Sequence, residues 1–97
     1  MDYKVILSPV SLENLAEITA WVAQDDPLRA EEFGNDLLDR IAILQRFPKA
    51  GSIYAPNRKW RKLVVRPYVI IYRLKPRIGI VEVLAFRHNA RRPLEGE

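Results

Sequence analysis

The chain contains no cysteine, so it can form no disulfide, no thiolate zinc site and no thiol nucleophile. It has a single histidine, and no grouping of His, Asp and Glu has the spacing of a metal site, so no metal is expected. Its four glycines are scattered; none builds a phosphate-cradling loop, and no cofactor is expected. The longest unbroken apolar run is the five residues Tyr68–Tyr72, far short of the roughly 20 that cross a bilayer. Val5–Leu7 is too short for a signal-peptide core, and no small-residue cleavage site follows it. These absences point to a cytoplasmic chain without membrane contact.

What is present is a length of 97 residues, enough for one core and one domain spanning 1–97. A net charge of +4 conceals a segregation. Residues 1–50 carry five Lys/Arg against nine Asp/Glu, a balance of −4, and residues 51–97 carry eleven against three, a balance of +8. Charge divided in this way attracts a polyanion or an acidic protein to the C-terminal half.

The periodicities give an order of elements. Asp2–Leu7 alternates as a short strand, with Tyr3, Val5 and Leu7 on one side. Ser8–Pro9 then reads as a helix start, Ser8 capping and Pro9 in the first turn. Leu12, Leu15, Ile18 and Val22 form an apolar stripe, with Glu13, Asn14 and Glu17 assigned to the opposite face of a helix ending near Gln24. Asp25–Pro27 starts a second helix, whose stripe is Ala30, Phe33, Leu37, Ile41 and Leu44 and which Phe47–Pro48 ends. Gly34 marks a place where the two helices come close. After a loop over 49–57, three β segments follow at Arg61–Val65, Tyr68–Leu74 and Ile78–Phe86. Short turns between them favour antiparallel pairing. The expected fold is α+β with the order β-α-α-β-β-β, a helical hairpin packed on one face of a mainly antiparallel four-stranded sheet.

Two basic clusters stand out. One is Arg58, Lys59, Arg61 and Lys62 around Trp60, with Arg66 shortly after; the other is Arg87, His88, Arg91 and Arg92. Both flank strands, so they are expected on one rim of the sheet, as ligands for phosphates or for a target. Trp60 fits either stacking on a base or packing on the core, and the core reading is preferred. An imidazole ordinarily titrates near about 6.5. His88 is therefore the one group suited to take a proton in RNA cleavage through the 2′-hydroxyl, with arginines stabilising the phosphorane. A purely structural His88 on the sheet rim is the competing reading, because no second proton-transfer group accompanies it. Tyr68 and Tyr72, four apart on one strand, fall on one side of the sheet.

Three segments carry a resemblance to a known family: Phe47-Pro-Lys-Ala-Gly51, Trp60-Arg-Lys-Leu-Val-Val-Arg-Pro-Tyr-Val-Ile-Ile-Tyr-Arg73 and Val83-Leu-Ala-Phe-Arg-His-Asn-Ala-Arg-Arg-Pro93. In this order they resemble the RelE/ParE superfamily, the toxins of type II toxin–antitoxin modules also called plasmid stabilisation proteins. The resemblance implies a growth-inhibiting toxin neutralised by a cognate acidic antitoxin, with operator DNA contacted only through that antitoxin. It also implies one of two targets. ParE-like members poison DNA gyrase without being nucleases, whereas RelE-like members cut mRNA on the ribosome. For a RelE-like toxin the catalytic group would be His88, Arg87 and Arg66. Against that, no aromatic follows Arg92, and Val69 stands where RelE-like toxins tend to carry an arginine. The His88-Asn-Ala-Arg91 ending is closer to the ParE-like branch, and inhibition of gyrase is the expected activity.

Overall fold

The computed structural model describes residues 2–89. Its elements are β1 (Lys4–Leu7), α1 (Pro9–Ala23), α2 (Pro27–Ala42), β2 (Ser52–Ile53), β3 (Arg61–Val65), β4 (Tyr68–Lys75) and β5 (Ile80–His88). The expected α+β order is present, with one addition. The two-residue β2 pairs with Arg61 and Lys62, so the sheet has five strands in the order β1-β5-β4-β3-β2. A two-residue strand has no periodicity to read, and Ser52–Ile53 lies inside the loop expected over 49–57. The sheet is antiparallel from β2 to β5, and β1 joins β5 in parallel.

Both helices begin as the sequence requires. The Ser8 hydroxyl accepts from the Ser11 amide and the Asp26 carboxylate from the Arg29 amide, each ahead of a proline in the first turn. Such a cap contributes about 1 kcal/mol by satisfying a helix-end donor. The expected stripe is buried at Ala30, Leu37 and Ile41 of α2 and at Leu44 in the 3-10 turn Ile43–Gln45 that continues it. At Gly34 an added Cβ would lie 3.3 Å from Thr19 Cγ2 of α1, the close helix approach anticipated there.

The assignment of faces on α1 needs correction. Leu12 is 54 % exposed, whereas Ser11 is fully buried, its hydroxyl donating to Ser8 O at 2.9 Å. The cause lies in the sheet. β1 accompanies β5 only from Ile80 to Val83, leaving the polar backbone of the rest of β5 unpaired on that edge. Polar groups at and after the start of α1 satisfy part of it. The Ser8 amide donates to Val83 O (2.9 Å), the Ser8 hydroxyl to Leu84 O (3.1 Å), and Asn14 Oδ1 accepts from the Phe86 amide (3.1 Å). A buried amide without a partner costs of order 1–3 kcal/mol, which is enough to turn Asn14 towards the sheet.

The core lies between the helices and one face of the sheet. Leu37 and Ile41 of α2 meet Ile70, Val83 and Phe86, with Leu15, Ile18 and Phe33 packed around them. Leu44 meets Tyr72 and Val81 alongside Leu63. Tyr68 and Tyr72 both lie on this helix-covered side, Tyr68 against Phe33 at 5.5 Å between ring centres.

Candidate functional site

Strand registers fix where the basic residues stand. β3 and β5 are both antiparallel to β4, so they run in the same direction. The entrance to β3 therefore lies at one end of the sheet and the exit of β5 at the other. Arg58 and Lys59 stand exposed before β3, and His88 ends β5. The single rim expected for the two clusters is not what the strands build. Arg66 instead shares an end with His88: it lies exposed in the β3–β4 turn, whose Pro67 carbonyl accepts from the Asn89 amide at 2.8 Å.

The turn carrying Arg58 and Lys59 is held by its backbone. The Tyr54 amide donates to Trp60 O, the Asn57 amide to Tyr54 O and the Trp60 amide to Asn57 O, while Asn57 Oδ1 accepts from the Lys59 amide. Trp60 is half-buried and stacks on buried Tyr54 at 6.3 Å with 20° between planes. It packs against the protein and braces the turn, in line with the preferred sequence reading.

Alternation along the strands separates the remaining cations. Leu63, Ile70, Tyr72, Val81, Val83 and Phe86 belong to the clusters facing the helices. Lys62, paired with Ile71, and Arg87, paired with Val69, consequently occupy the opposite, helix-free face, together with Arg73 and Lys75. At the centre of that face Ile71 and Ala85 are each only 2 % exposed. Glu82, the only acidic residue between positions 40 and 94, accepts from Arg73 Nε at 2.6 Å and lies 3.5 Å from Lys75 Nζ. Burial pushes its carboxyl up, but the Arg73 hydrogen bond and the charges of Arg73 and Lys75 outweigh it, so Glu82 titrates below the usual carboxylate value. No spacing in the sequence marks this cluster, because Glu82 is a lone acidic residue in a strand that otherwise reads as nearly continuously apolar.

Arg61 faces the other way. Its guanidinium Nη1 donates to Gly51 O at 2.8 Å. The Gly51 amide in turn donates to the Tyr72 hydroxyl, which donates to Pro48 O, both at 2.9 Å. A Cβ at Gly51 would come 2.4 Å from Lys62 O and 2.8 Å from the Tyr72 oxygen, so the approach of this loop to β3 admits only glycine. Burial raises the Tyr72 phenol, partly offset by the Gly51 amide and the Arg61 charge. Arg61 is thus tied into the fold by a main-chain hydrogen bond.

His88 does not join the helix-free face. It pairs with Tyr68 across the strands and meets that ring edge-on, with centres 5.5 Å apart and planes at 82°. It opens with Tyr68 and Phe86 onto a cleft of about 460 Å³, closed on the other side by α1. The α1 wall is Asn14, Glu17, Ile18 and Trp21, whose three- and four-residue spacing sets them on one helix face. Trp21 is 69 % exposed at this wall. The sequence pattern separates Asn14 and Glu17, on the water face, from Ile18, in the core stripe, and assigns Trp21 to neither. Of the remaining expected site residues, Arg91 and Arg92 lie outside the described residues. Among the described residues no group of three or more His, Asp or Glu could hold a metal, and no helix is long and apolar enough to cross a membrane.

Comparison with known proteins places this geometry. The family model described as the ParE toxin of the type II toxin–antitoxin system parDE matches residues 5–93. Among solved structures, the chain is similar to one from the chromosomal ParDE system of Pseudomonas aeruginosa. The TM-score is 0.76 and the identity 18 %, over 89 % of this chain and 95 % of that one. It is also similar to a chain of the RelBE2 toxin–antitoxin complex of Mycobacterium tuberculosis, with TM-score 0.63 and 16 % identity over 91 % and 99 %. No curated protein matches.

Proposed function

The chain belongs to the ParE toxin family of type II toxin–antitoxin systems, and we propose from that membership that it arrests growth by poisoning DNA gyrase. The observation that carries the choice of target is the separation of Arg87 from His88. Cleavage through a 2′-hydroxyl needs a base within hydrogen-bond reach of the hydroxyl and cations on the same phosphate. Here the cations of the helix-free face, Lys62 and Arg87, stand on one side of the sheet, and the imidazole stands on the other beside α1. That division supports a surface that grips its target without cutting it.

The basic residues then act by contact. Arg58, Lys59, Lys62, Arg66 and Arg87, with Arg91 and Arg92, engage the target and the acidic segment of a cognate antitoxin, while Arg61 holds the loop at Gly51. The solved relatives are described as toxin–antitoxin systems, which supports an antitoxin as the partner that masks this surface, in the cytoplasm where gyrase works.

The test uses purified toxin with gyrase, relaxed plasmid and ATP. The expected result is loss of supercoiling with linear DNA released from trapped cleavage complexes, and intact mRNA in a programmed ribosome assay. Untouched supercoiling at excess toxin overturns the proposal. Ribosome-dependent cleavage of mRNA that disappears in both His88→Ala and Arg87→Ala would establish the RelE-like activity in its place.

A further inference from the structure

The cleft beside α1 has a chemistry opposite to that of the basic face. Among the described residues, Glu17 is the only carboxylate lining it, and no Lys or Arg does so. The surrounding stretch, residues 8–28, contains four Asp/Glu and no Lys/Arg, so the field on this side favours a cation. Trp21 presents a largely exposed indole at the wall, and Tyr68 presents a ring fixed between Phe33 and His88. Asn14 is anchored by its bond from the Phe86 amide, which sets the rotation of the α1 wall in advance of any ligand.

We propose that this cleft is a binding site for an arginine side chain presented by an extended segment of a partner protein. A guanidinium satisfies both elements of the site, stacking on an aromatic face while donating to a carboxylate. An apolar side chain would take water from Glu17 and give it no partner, and an acidic one would be repelled. The site is independent of which target the basic face engages. It gives the molecule two electrically opposite contact surfaces.

The test is a titration of the full ¹⁵N-labelled chain with the blocked tripeptide acetyl-Gly-Arg-Gly-amide, using the Leu and Glu counterparts as comparisons. The expected result is a saturable shift of the Trp21 indole signal and of the Glu17 and Tyr68 amides by the Arg peptide, with millimolar affinity. Glu17→Gln is expected to weaken it by about threefold or more, the scale of an exposed ion pair, and Trp21→Ala to weaken it further. Equal shifts with the Leu peptide, unchanged binding in Glu17→Gln, or no shift with the Arg peptide each overturn the proposal. So does binding that appears only when Arg91 and Arg92 are both changed to Ala, which would make this chain's own arginines the occupant.

Discussion

Arg87 and His88 are neighbours on β5 yet lie on opposite faces of the sheet. Arg87 pairs with Val69 on the helix-free side, and His88 meets Tyr68 edge-on beside α1. Substitutions at the two positions are therefore expected to separate. Arg87→Glu should weaken binding of the proposed acidic antitoxin segment about five- to tenfold at low salt, with the loss shrinking as salt screens the charge. His88→Ala should leave that affinity within about twofold, because it changes no charge on the helix-free face. Titration calorimetry at two salt concentrations checks both; equal losses would mean that the partner wraps both faces.

Glu82 restrains the same face from within by engaging Arg73 and Lys75. Its pKa is lower folded than unfolded, so its stabilisation is full above the ordinary carboxyl value of 4.5 and is lost as pH falls through the folded value. Glu82→Gln should cost about 0.5–1 kcal/mol at neutral pH, a figure held down by solvent screening. The difference from the native chain should close in urea unfolding as pH falls below 4.5 and through the folded value. At neutral pH the variant frees two cations, so its binding to heparin should tighten and depend more steeply on salt.

How much of this could be read from the sequence depended on whether the cause was local. The α2 stripe from Ala30 to Leu44 was legible because one face of one helix meets the core, and a period of 3.6 is the whole signal. On α1 the same rule failed at Leu12 and Asn14, because the uncovered edge of β5 takes Ser8 and Asn14 as polar partners, and the helix face they share carries Ser11 inward, where it bonds Ser8. That demand comes from where β1 stops, a relationship across more than 70 residues. The basic clusters failed similarly. Contiguity in sequence is not contiguity in space: a strand sends Arg61 and Lys62, or Arg87 and His88, to opposite faces. The family likeness, carried by residues spread over the chain, survived these local errors.

Tyr72 ties β4 to the loop at 48–51, accepting from the Gly51 amide and donating to Pro48 O while fully buried. Tyr72→Phe keeps the ring but leaves both main-chain groups without a partner, so a loss of about 1–3 kcal/mol is expected. Burial holds the phenol above its ordinary 10.0 despite the Gly51 amide and Arg61. Its stabilising effect is thus complete below pH 10 and lost as pH rises through the folded value. Denaturant unfolding should show a large gap between native chain and variant at pH 7 that narrows at strongly alkaline pH.

Asn14 links the stability of the sheet to the shape of the cleft. Its Oδ1 is the acceptor for the Phe86 amide on the part of β5 that β1 does not reach. Asn14→Ala removes that acceptor and should cost about 1–2 kcal/mol, since a half-buried donor is left without its protein partner. Asn14→Asp keeps an oxygen in the same place and should recover most of the loss, at the expense of a second carboxylate near Glu17. Amide exchange distinguishes this local account from general weakening. In Asn14→Ala the Phe86 amide should exchange faster by more than the change in global stability explains, while the amides of α2 follow the global value. If Phe86 and α2 accelerate together, Asn14 acts only through the core, and the α1 wall of the cleft does not depend on its bond to β5.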